Sequence, residues 1–222
     1  MLKTKIAFAT LALFIGFTRC TSESQQESKA ETKQLITQVV PEVKITDTTT
    51  FQNDLYNYPS TTGALGVFDV PEMLVLSLID SANSKEMSTR LVKNYALLEE
   101  DLNFIHAELN GPVGMLTYNN NVNNFVFESV LFIKKMPKVQ PKRSKIVILE
   151  ASPMLVYNFY GSYQNLFSAY EQIKRYCNKN DLMQTGPMRE FYITDPEKEK
   201  DVSKWLTRIM LPVISMRKKP TS

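Results

Sequence analysis

The stretch TGPMREFYITDP, residues 185–196, places a carboxylic acid and a phenol where they could act together. A Gly-Pro turn leads into a short alternating segment, in which Glu190 stands two residues before Tyr192. Side chains two residues apart in a strand point to the same face. The pattern therefore predicts Glu190 and Tyr192 on one face and Phe191 and Ile193 on the other. Because strands disfavour Glu, the acid at this position calls for an explanation beyond strand propensity.

Two interpretations of Glu190 that involve no ligand stay open at this stage. The residue could be an edge-strand acid in contact with water, or it could pair with Arg208 of the last predicted strand. Both would explain an acid in a strand without any binding function.

The elements that position Glu190 are predicted from two segments with the same order of parts: strand, helix, Gly-Pro turn, strand, strand. The Gly-Pro pairs at Gly111 and Gly186 stand at the same distance beyond their helices. An internal duplication of βαββ units follows. Apolar stripes at helical spacing mark the two helices: Leu91, Tyr95, Leu98, Leu102, Ile105 and Leu109 in the first, and Leu166, Tyr170, Ile173 and Cys177 in the second.

The predicted helices have matching starts. Ser88 is the predicted N-cap of the first helix and Ser162 that of the second, since serine is among the preferred residues at that position. Cys177 lies on the apolar stripe of the second helix and is accordingly predicted to be buried and unreactive.

The duplication also relates Glu190 to a position in the first repeat. The shift along the chain that relates Gly111 to Gly186 also relates Met115 to Glu190 and Thr117 to Tyr192. A site on this face of the sheet would then hold one acid, balanced by an apolar residue at the equivalent position of the first repeat. A single acid argues against the two-carboxylate mechanism of glycosidases.

The second repeat resembles the gyrase-inhibitor-like (GyrI-like) small-molecule-binding domain, which is related to the effector-binding domains of bacterial transcription activators. The matching residues are Gly161, Tyr163, Glu190, Tyr192, Asp195, Pro196, Thr207, Pro212 and Val213. The resemblance covers roughly residues 70–214 and is weaker in the first repeat.

The resemblance implies an α+β fold, in which duplicated βαββ units form a curved antiparallel sheet. Both helices would lie on one face and a ligand groove on the other, with Phe191 and Ile193 packed under the helices. Glu190 would be the pocket acid and would attract an amphipathic or cationic small molecule, with Tyr192 beside it. Tyr163 and Trp205 are further candidate ligand contacts, although for each a packing role stays open, and Met115 is the candidate apolar contact.

The start of the chain is typical of an exported lipoprotein. A basic segment and a short apolar run precede Cys20, and a polar stretch follows it. The cysteine would then be lipidated, and the protein would be anchored to a membrane in the cell envelope. The predicted organisation is a signal peptide at 1–19, a flexible tether at 20–34, an N-terminal extension at 35–69, a domain at 70–216 with repeats at about 70–133 and 146–214, and a tail at 217–222.

Composition excludes several function classes. The formal net charge of +3 comes from the three basic residues of the predicted signal peptide, so the rest of the chain has no electrostatic footprint for nucleic acid. One His and two Cys do not make an ordinary zinc site, and we predict no metal, cofactor or catalytic residue from motifs. Three functions remain: a binding module for small molecules, a module that binds an envelope protein, and a hydrolase of electrophilic small molecules that uses Glu190 and Tyr192.

Overall fold

The computed structural model describes residues 65–119 and 121–216. Two helices and nine strands make up this part of the chain. The strands are β1 (Leu65–Val70), β2 (Met73–Ala82), β3 (Leu109–Thr117), β4 (Phe125–Ile133), β5 (Lys145–Leu149), β6 (Ser152–Tyr160), β7 (Leu182–Gln184), β8 (Met188–Tyr192) and β9 (Leu206–Ser215); the helices are α1 (Met87–Phe104) and α2 (Leu166–Asn180). The predicted α+β class is confirmed.

Both helices form where the apolar stripes predict them. In α1 the stripe from Leu91 to Leu102 is buried, but the helix ends at Phe104, before the last two predicted stripe positions, Ile105 and Leu109. His106 then adopts a left-handed conformation (φ 53°). Ser88 is not the N-cap that we predicted, since α1 begins one residue earlier, at Met87, and has no side-chain cap.

Helix α2 is entered through a short 3₁₀ turn, Tyr163–Asn165. The Ser162 hydroxyl accepts a hydrogen bond from the Gln164 amide and caps this 3₁₀ turn. Ser162 is not the N-cap of α2 that we predicted, since that position is Asn165. Asp181 ends the helix in the left-handed conformation (φ 54°). Cys177 is buried on the inner side of α2.

The strands form one antiparallel sheet in the order β1-β6-β9-β8-β3-β4-β2-β5, and β7 pairs with β9 outside this path. The duplication is visible in the register, because β3 of one repeat pairs with β8 of the other and places Met115 directly opposite Glu190. The repeat shift converts Met115 into Glu190 and Val113 into Met188. The pseudo-twofold axis therefore passes between Met115 and Glu190.

The two Gly-Pro pairs differ in their setting. Gly186 lies in the connection between β7 and β8, as a turn should. Gly111 lies inside β3, where the pairing with β4 shifts its register between Leu109 and Val113. The first pair therefore marks an irregularity within a strand and not the turn that we predicted.

Two strands lie outside the predicted βαββ units. Strand β1 precedes the first repeat and pairs with β6 of the second, while β5 precedes the second repeat and pairs with β2 of the first. Connections of two residues join β1 to β2 and β5 to β6, although these strands stand at opposite ends of the strand order. Because such connections span only about 10 Å, the sheet curls until its two ends approach each other.

The two faces of the sheet have different covers. One face carries a core that includes both helices, together with Met115, Tyr192 and Ile209. The other face is concave, and its buried side chains, Phe191 among them, come from the strands and their connections alone. Burial on that face follows from the curl of the sheet.

The structure therefore places the side chains of residues 190–193 on the faces opposite to those that we predicted. We expected Phe191 and Ile193 under the helices, and Glu190 and Tyr192 on the opposite face. Instead Phe191 packs on the concave face, where its ring meets Phe132 edge to face at 4.9 Å. Gly114 makes this possible, since a Cβ atom built there would lie 2.3 Å from the Phe191 ring. Alternation predicted which side chains share a face, but it carries no information on which face the helices cover.

Candidate functional site

A cavity of about 360 Å³ lies on the helix face of the sheet, beside α2 and the first residue of α1. Its apolar lining comes from Met87, Met115, Phe125, Ile173, Cys177, Leu182, Met188 and Leu211. The predicted position of the groove, on the face opposite the helices, is therefore corrected. Methionine is flexible and polarisable, so a wall with three of them can adapt to ligands of different shape.

The polar residues that line the cavity differ in their exposure to solvent. Glu190 is 1% exposed, whereas Asn119, Lys174, Asn178 and Gln184 are exposed residues that also line the cavity. The cavity thus has a buried carboxyl group within an apolar wall and neutral or basic side chains where it meets solvent.

Two tyrosines hold the Glu190 carboxyl group. The Tyr170 hydroxyl donates a hydrogen bond to Oε1 over 2.8 Å, and the Tyr192 hydroxyl lies 3.4 Å from Oε2. Burial raises the pKa of Glu190 to about 7, although both hydrogen bonds act in the opposite direction. Within residues 65–119 and 121–216, no salt bridge reaches this carboxylate.

Burial also raises the pKa of Tyr170 and of Tyr192, and the nearby Glu190 charge raises both further. Tyr95 of α1 donates its hydroxyl proton to the Gly114 carbonyl oxygen over 2.7 Å. All three phenols consequently remain neutral donors near neutral pH. Tyr170 and Tyr192 stabilise an ionised Glu190 by hydrogen bonding without supplying a positive charge.

Met115 lies across the β3–β8 pair from Glu190 and lines the cavity with it. Glu190 is the one acid among the described residues that line the cavity. The pairing considered for Glu190 with Arg208 is wrong, since Arg208 is on the concave face, where its Nε donates to Asn158 Oδ1 over 2.9 Å. Contact with bulk water is also excluded by the 1% exposure of Glu190.

Tyr163 and Trp205 lie next to the site but do not line the cavity. The ring of Tyr163 packs edge to face on Tyr192 at 5.4 Å and against Trp205 at 5.2 Å. The Trp205 indole N–H donates to the Glu199 carbonyl oxygen over 2.9 Å. These two aromatic residues support Tyr192 from behind, so their position indicates packing, the alternative that the sequence left open.

Sequence reasoning missed several lining residues. Tyr170, Ile173 and Cys177 were assigned to the helix core, and Met188 was overlooked although it shares the face of Glu190. A signal was present, because Tyr170 is the one residue of the α2 stripe with a hydroxyl group. The predicted lipid attachment residue, Cys20, lies outside the described residues. None of the helices within 65–119 and 121–216 has the length and apolar character needed to cross a bilayer.

The fold has counterparts among solved structures. The C-terminal domain of EcmrR superposes with a TM-score of 0.62 at 18% identity, over 69% of this chain and 98% of that domain. In the complex of EcmrR with DNA, the match spans 58% of the EcmrR chain, with a TM-score of 0.61 at 18% identity. A hydrolase from Listeria innocua gives a TM-score of 0.55 at 16% identity, over 74% of this chain and 98% of the hydrolase. At these identities the likeness establishes the fold.

No curated protein sequence matches the chain. A family model, the GyrI-like small molecule binding domain, matches residues 77–214. The match includes both helices, eight of the nine strands wholly or in large part, and Glu190 with its partners Tyr170 and Tyr192. The chain belongs to the GyrI-like small molecule binding domain family.

Proposed function

We propose that the chain binds an amphipathic or cationic small molecule in the cavity beside α2, with Glu190 as the residue that recognises positive charge. One observation carries the proposal: a carboxyl group that is 1% exposed lines an apolar cavity and has only phenols as partners among the described side chains. A buried acid is costly unless a charge or strong donors compensate it. A cationic ligand would supply that charge.

The cavity also suits the apolar part of such a ligand. Methionine, leucine and isoleucine side chains dominate its wall, and Phe125 and Tyr170 contribute aromatic rings. Aromatic faces attract cations, most strongly where water is excluded. Because the pKa of Glu190 is raised to about 7, binding of a cation requires loss of the Glu190 proton. Affinity for the cation should consequently fall as the pH drops below that value.

Glu190→Gln removes the charge of the side chain and keeps its shape. The proposal therefore predicts a loss of affinity for a cation and not for a neutral molecule of the same shape. Phenyltrimethylammonium and tert-butylbenzene form a suitable probe pair, because they differ in one central atom and in charge. For the cation we expect Glu190→Gln to cost roughly 2–5 kcal/mol of binding free energy, the usual loss for a desolvated charge pair. For the neutral probe we expect little change. Isothermal titration of both probes with both proteins measures this.

Glu128→Gln is the matched control, since Glu128 is a buried acid that does not line the cavity. It should leave the affinity for both probes unchanged. Equal losses for cation and neutral probe in Glu190→Gln would show that Glu190 shapes the strand without recognising charge. Failure of the wild type to bind any lipophilic cation would contradict the proposal and favour a module that binds another protein.

A hydrolase is the second candidate, and one contact favours it. The Tyr192 hydroxyl and the Glu190 carboxyl group stand within 3.4 Å of each other, which suits an acid that protonates a leaving group and a phenol that orients it. A hydrolase is also among the structural neighbours. Turnover of a strained electrophilic ring compound by the wild type, and its loss in Glu190→Gln, would establish this function in place of simple binding.

We further propose that the protein is exported and anchored in the cell envelope through a lipidated Cys20. The support is the sequence pattern of the segment 1–34 alone. In that location the domain would capture its ligand outside the cytoplasm.

A further inference from the structure

Besides Glu190, strand β8 has a second charged residue, Arg189, which lies on the concave face of the sheet. Arg189 is the neighbour of Glu190 along the strand, so its side chain points away from the ligand cavity. It is 7% exposed and lies between Leu116 of β3 and Met210 of β9. A guanidinium buried among apolar side chains requires hydrogen-bond acceptors, since it is a donor only and stays charged.

Arg189 finds few acceptors among the described residues. Its Nη2 donates to the Glu150 carbonyl oxygen over 3.4 Å, the long limit of a hydrogen bond. Its Nε and Nη1 atoms are buried and have no hydrogen-bond partner within residues 65–119 and 121–216. The Ser152 hydroxyl, two residues beyond Glu150, is buried without a partner there as well. The Arg189 guanidinium contacts the connection between β5 and β6 at Glu150, and Ser152 follows that connection as the first residue of β6.

The acids in this region are engaged elsewhere or face solvent. Glu128 accepts hydrogen bonds from the Ser77 and Tyr118 hydroxyls. The Glu150 residue is exposed, and its carboxylate forms no salt bridge with a described residue. Arg208, the other buried arginine of this face, donates to Asn158. No carboxylate of the described residues forms a salt bridge with the Arg189 guanidinium.

We propose that Arg189 and Ser152 form a binding site for a small anionic group, a carboxylate or a phosphate, on the concave face of the sheet. The planar guanidinium matches both anions in charge and in geometry. The Ser152 hydroxyl adds a neutral donor from the start of β6. This site is separate from the Glu190 cavity, because the sheet itself lies between them.

The test observes Arg189 directly. In the ¹⁵N-labelled full chain, the Nε–Hε resonance of Arg189 is identified by its loss in Arg189→Lys. Sodium acetate and sodium phosphate are titrated separately at constant ionic strength, with sodium chloride as the reference salt. We expect a saturable shift of this resonance with at least one anion. The anion that binds with the higher affinity identifies the class of ligand.

Variants and controls make the result decisive. We expect Ser152→Ala to lower the affinity for the anion at least threefold, and Arg189→Lys to lower it at least tenfold. The protection that the anion gives against thermal unfolding measures both affinities. Glu190→Gln, on the opposite face of the sheet, should leave the affinity for the anion unchanged. This control separates the inference from the proposed function. The proposal is overturned if neither anion gives a saturable shift. It is also overturned if Glu150→Gln, and not added anion, moves the Arg189 resonance, because the partner would then be internal.

Discussion

Glu190 keeps its carboxyl group in the apolar wall at a cost in folding stability that depends on pH. The pKa of Glu190 in the folded chain is about 7, above its ordinary value of about 4.5. The folded state therefore holds the proton more tightly than the unfolded state. The contribution of this residue is fully present below about pH 4.5 and is lost as the pH rises towards 7. The loss amounts to roughly 3 kcal/mol, at 1.36 kcal/mol per pKa unit.

Glu190→Gln should remove this pH dependence, because the amide does not titrate. We expect the variant to be nearly as stable as the wild type at pH 4.5 and more stable at pH 8. Urea unfolding of both proteins at these two pH values measures the difference. If the difference in unfolding free energy between the two proteins is the same at both pH values, the carboxyl group is not desolvated as described.

Cys177 provides a reporter inside the cavity. Its thiol is buried, and burial raises its pKa, so the reactive thiolate is scarce. In a Cys20→Ser background we expect iodoacetamide to modify Cys177 at least tenfold more slowly in the native protein than in urea. Since Cys177 lines the cavity, saturating phenyltrimethylammonium should slow the reaction further. Rapid modification of the native protein, or equal rates with and without the probe, would contradict this placement.

At the scale of elements, one buried acid of α1 holds the connection between β4 and β5, residues 134–144, against that helix. Asp101 is 1% exposed. Its carboxylate accepts hydrogen bonds from the Lys142, Arg143 and Ser144 amides and from the Ser144 hydroxyl over 2.7–3.3 Å. Burial alone raises the pKa of Asp101, but the hydrogen bonds from Ser144, Arg143 and Lys142 together outweigh it and lower the pKa below its usual value.

Asp101→Asn should therefore destabilise the fold by roughly 2–4 kcal/mol near neutral pH, because charged hydrogen bonds are lost and buried amides lose their acceptor. The lowered pKa means that the contribution is present above the usual Asp pKa and disappears as the pH falls through the folded value. Glu100→Gln is the control. It removes only an exposed ion pair with Arg143, worth at most about 1 kcal/mol. Similar losses in both variants by urea unfolding would contradict the role given to Asp101.

The elements that the sequence predicted well are those with a local signal. The α1 and α2 stripes follow from spacing along the chain. The repeat shift relates Met115 to Glu190, and the register pairs these two residues, whereas Thr117, related to Tyr192 in the same way, pairs with Met188. Strands β1 and β5 lie outside the two matching segments, so the duplication does not predict them, and each pairs with the other repeat. That pairing is a long-range property, which no local pattern records.

The candidate site also has a part that local sequence patterns predict and a part that depends on the whole fold. Glu190 and Tyr192 could be predicted to share a face, since alternation fixes that. Which face the helices cover depends on how the whole sheet curls, and the partner Tyr170 arrives from a helix that precedes β8 in the chain. Tyr163 and Trp205 were chosen for their residue types, although packing around Tyr192 is what positions them.

At the scale of the whole molecule, the predicted leader determines where the domain would meet its ligand. The apolar run before Cys20 is too short to span a bilayer comfortably, which takes about 20 residues, and the segment after it is polar. If Cys20 carries lipid, the buried acyl chains supply the membrane affinity, at about 0.8 kcal/mol for each CH₂ group. A two-chain anchor would hold the protein firmly, whereas the protein without it would be released.

Cys20→Ser should therefore move the protein from the membrane fraction to the soluble fraction of the envelope, and it should abolish incorporation of radiolabelled palmitate. Cys177→Ser is the matched control, because it removes the other cysteine and should leave both properties unchanged. Ligand affinity should be equal in Cys20→Ser and wild type, since the cavity is built from residues 87–211. Identical fractionation of Cys20→Ser and wild type would refute the anchor and leave the binding proposal standing.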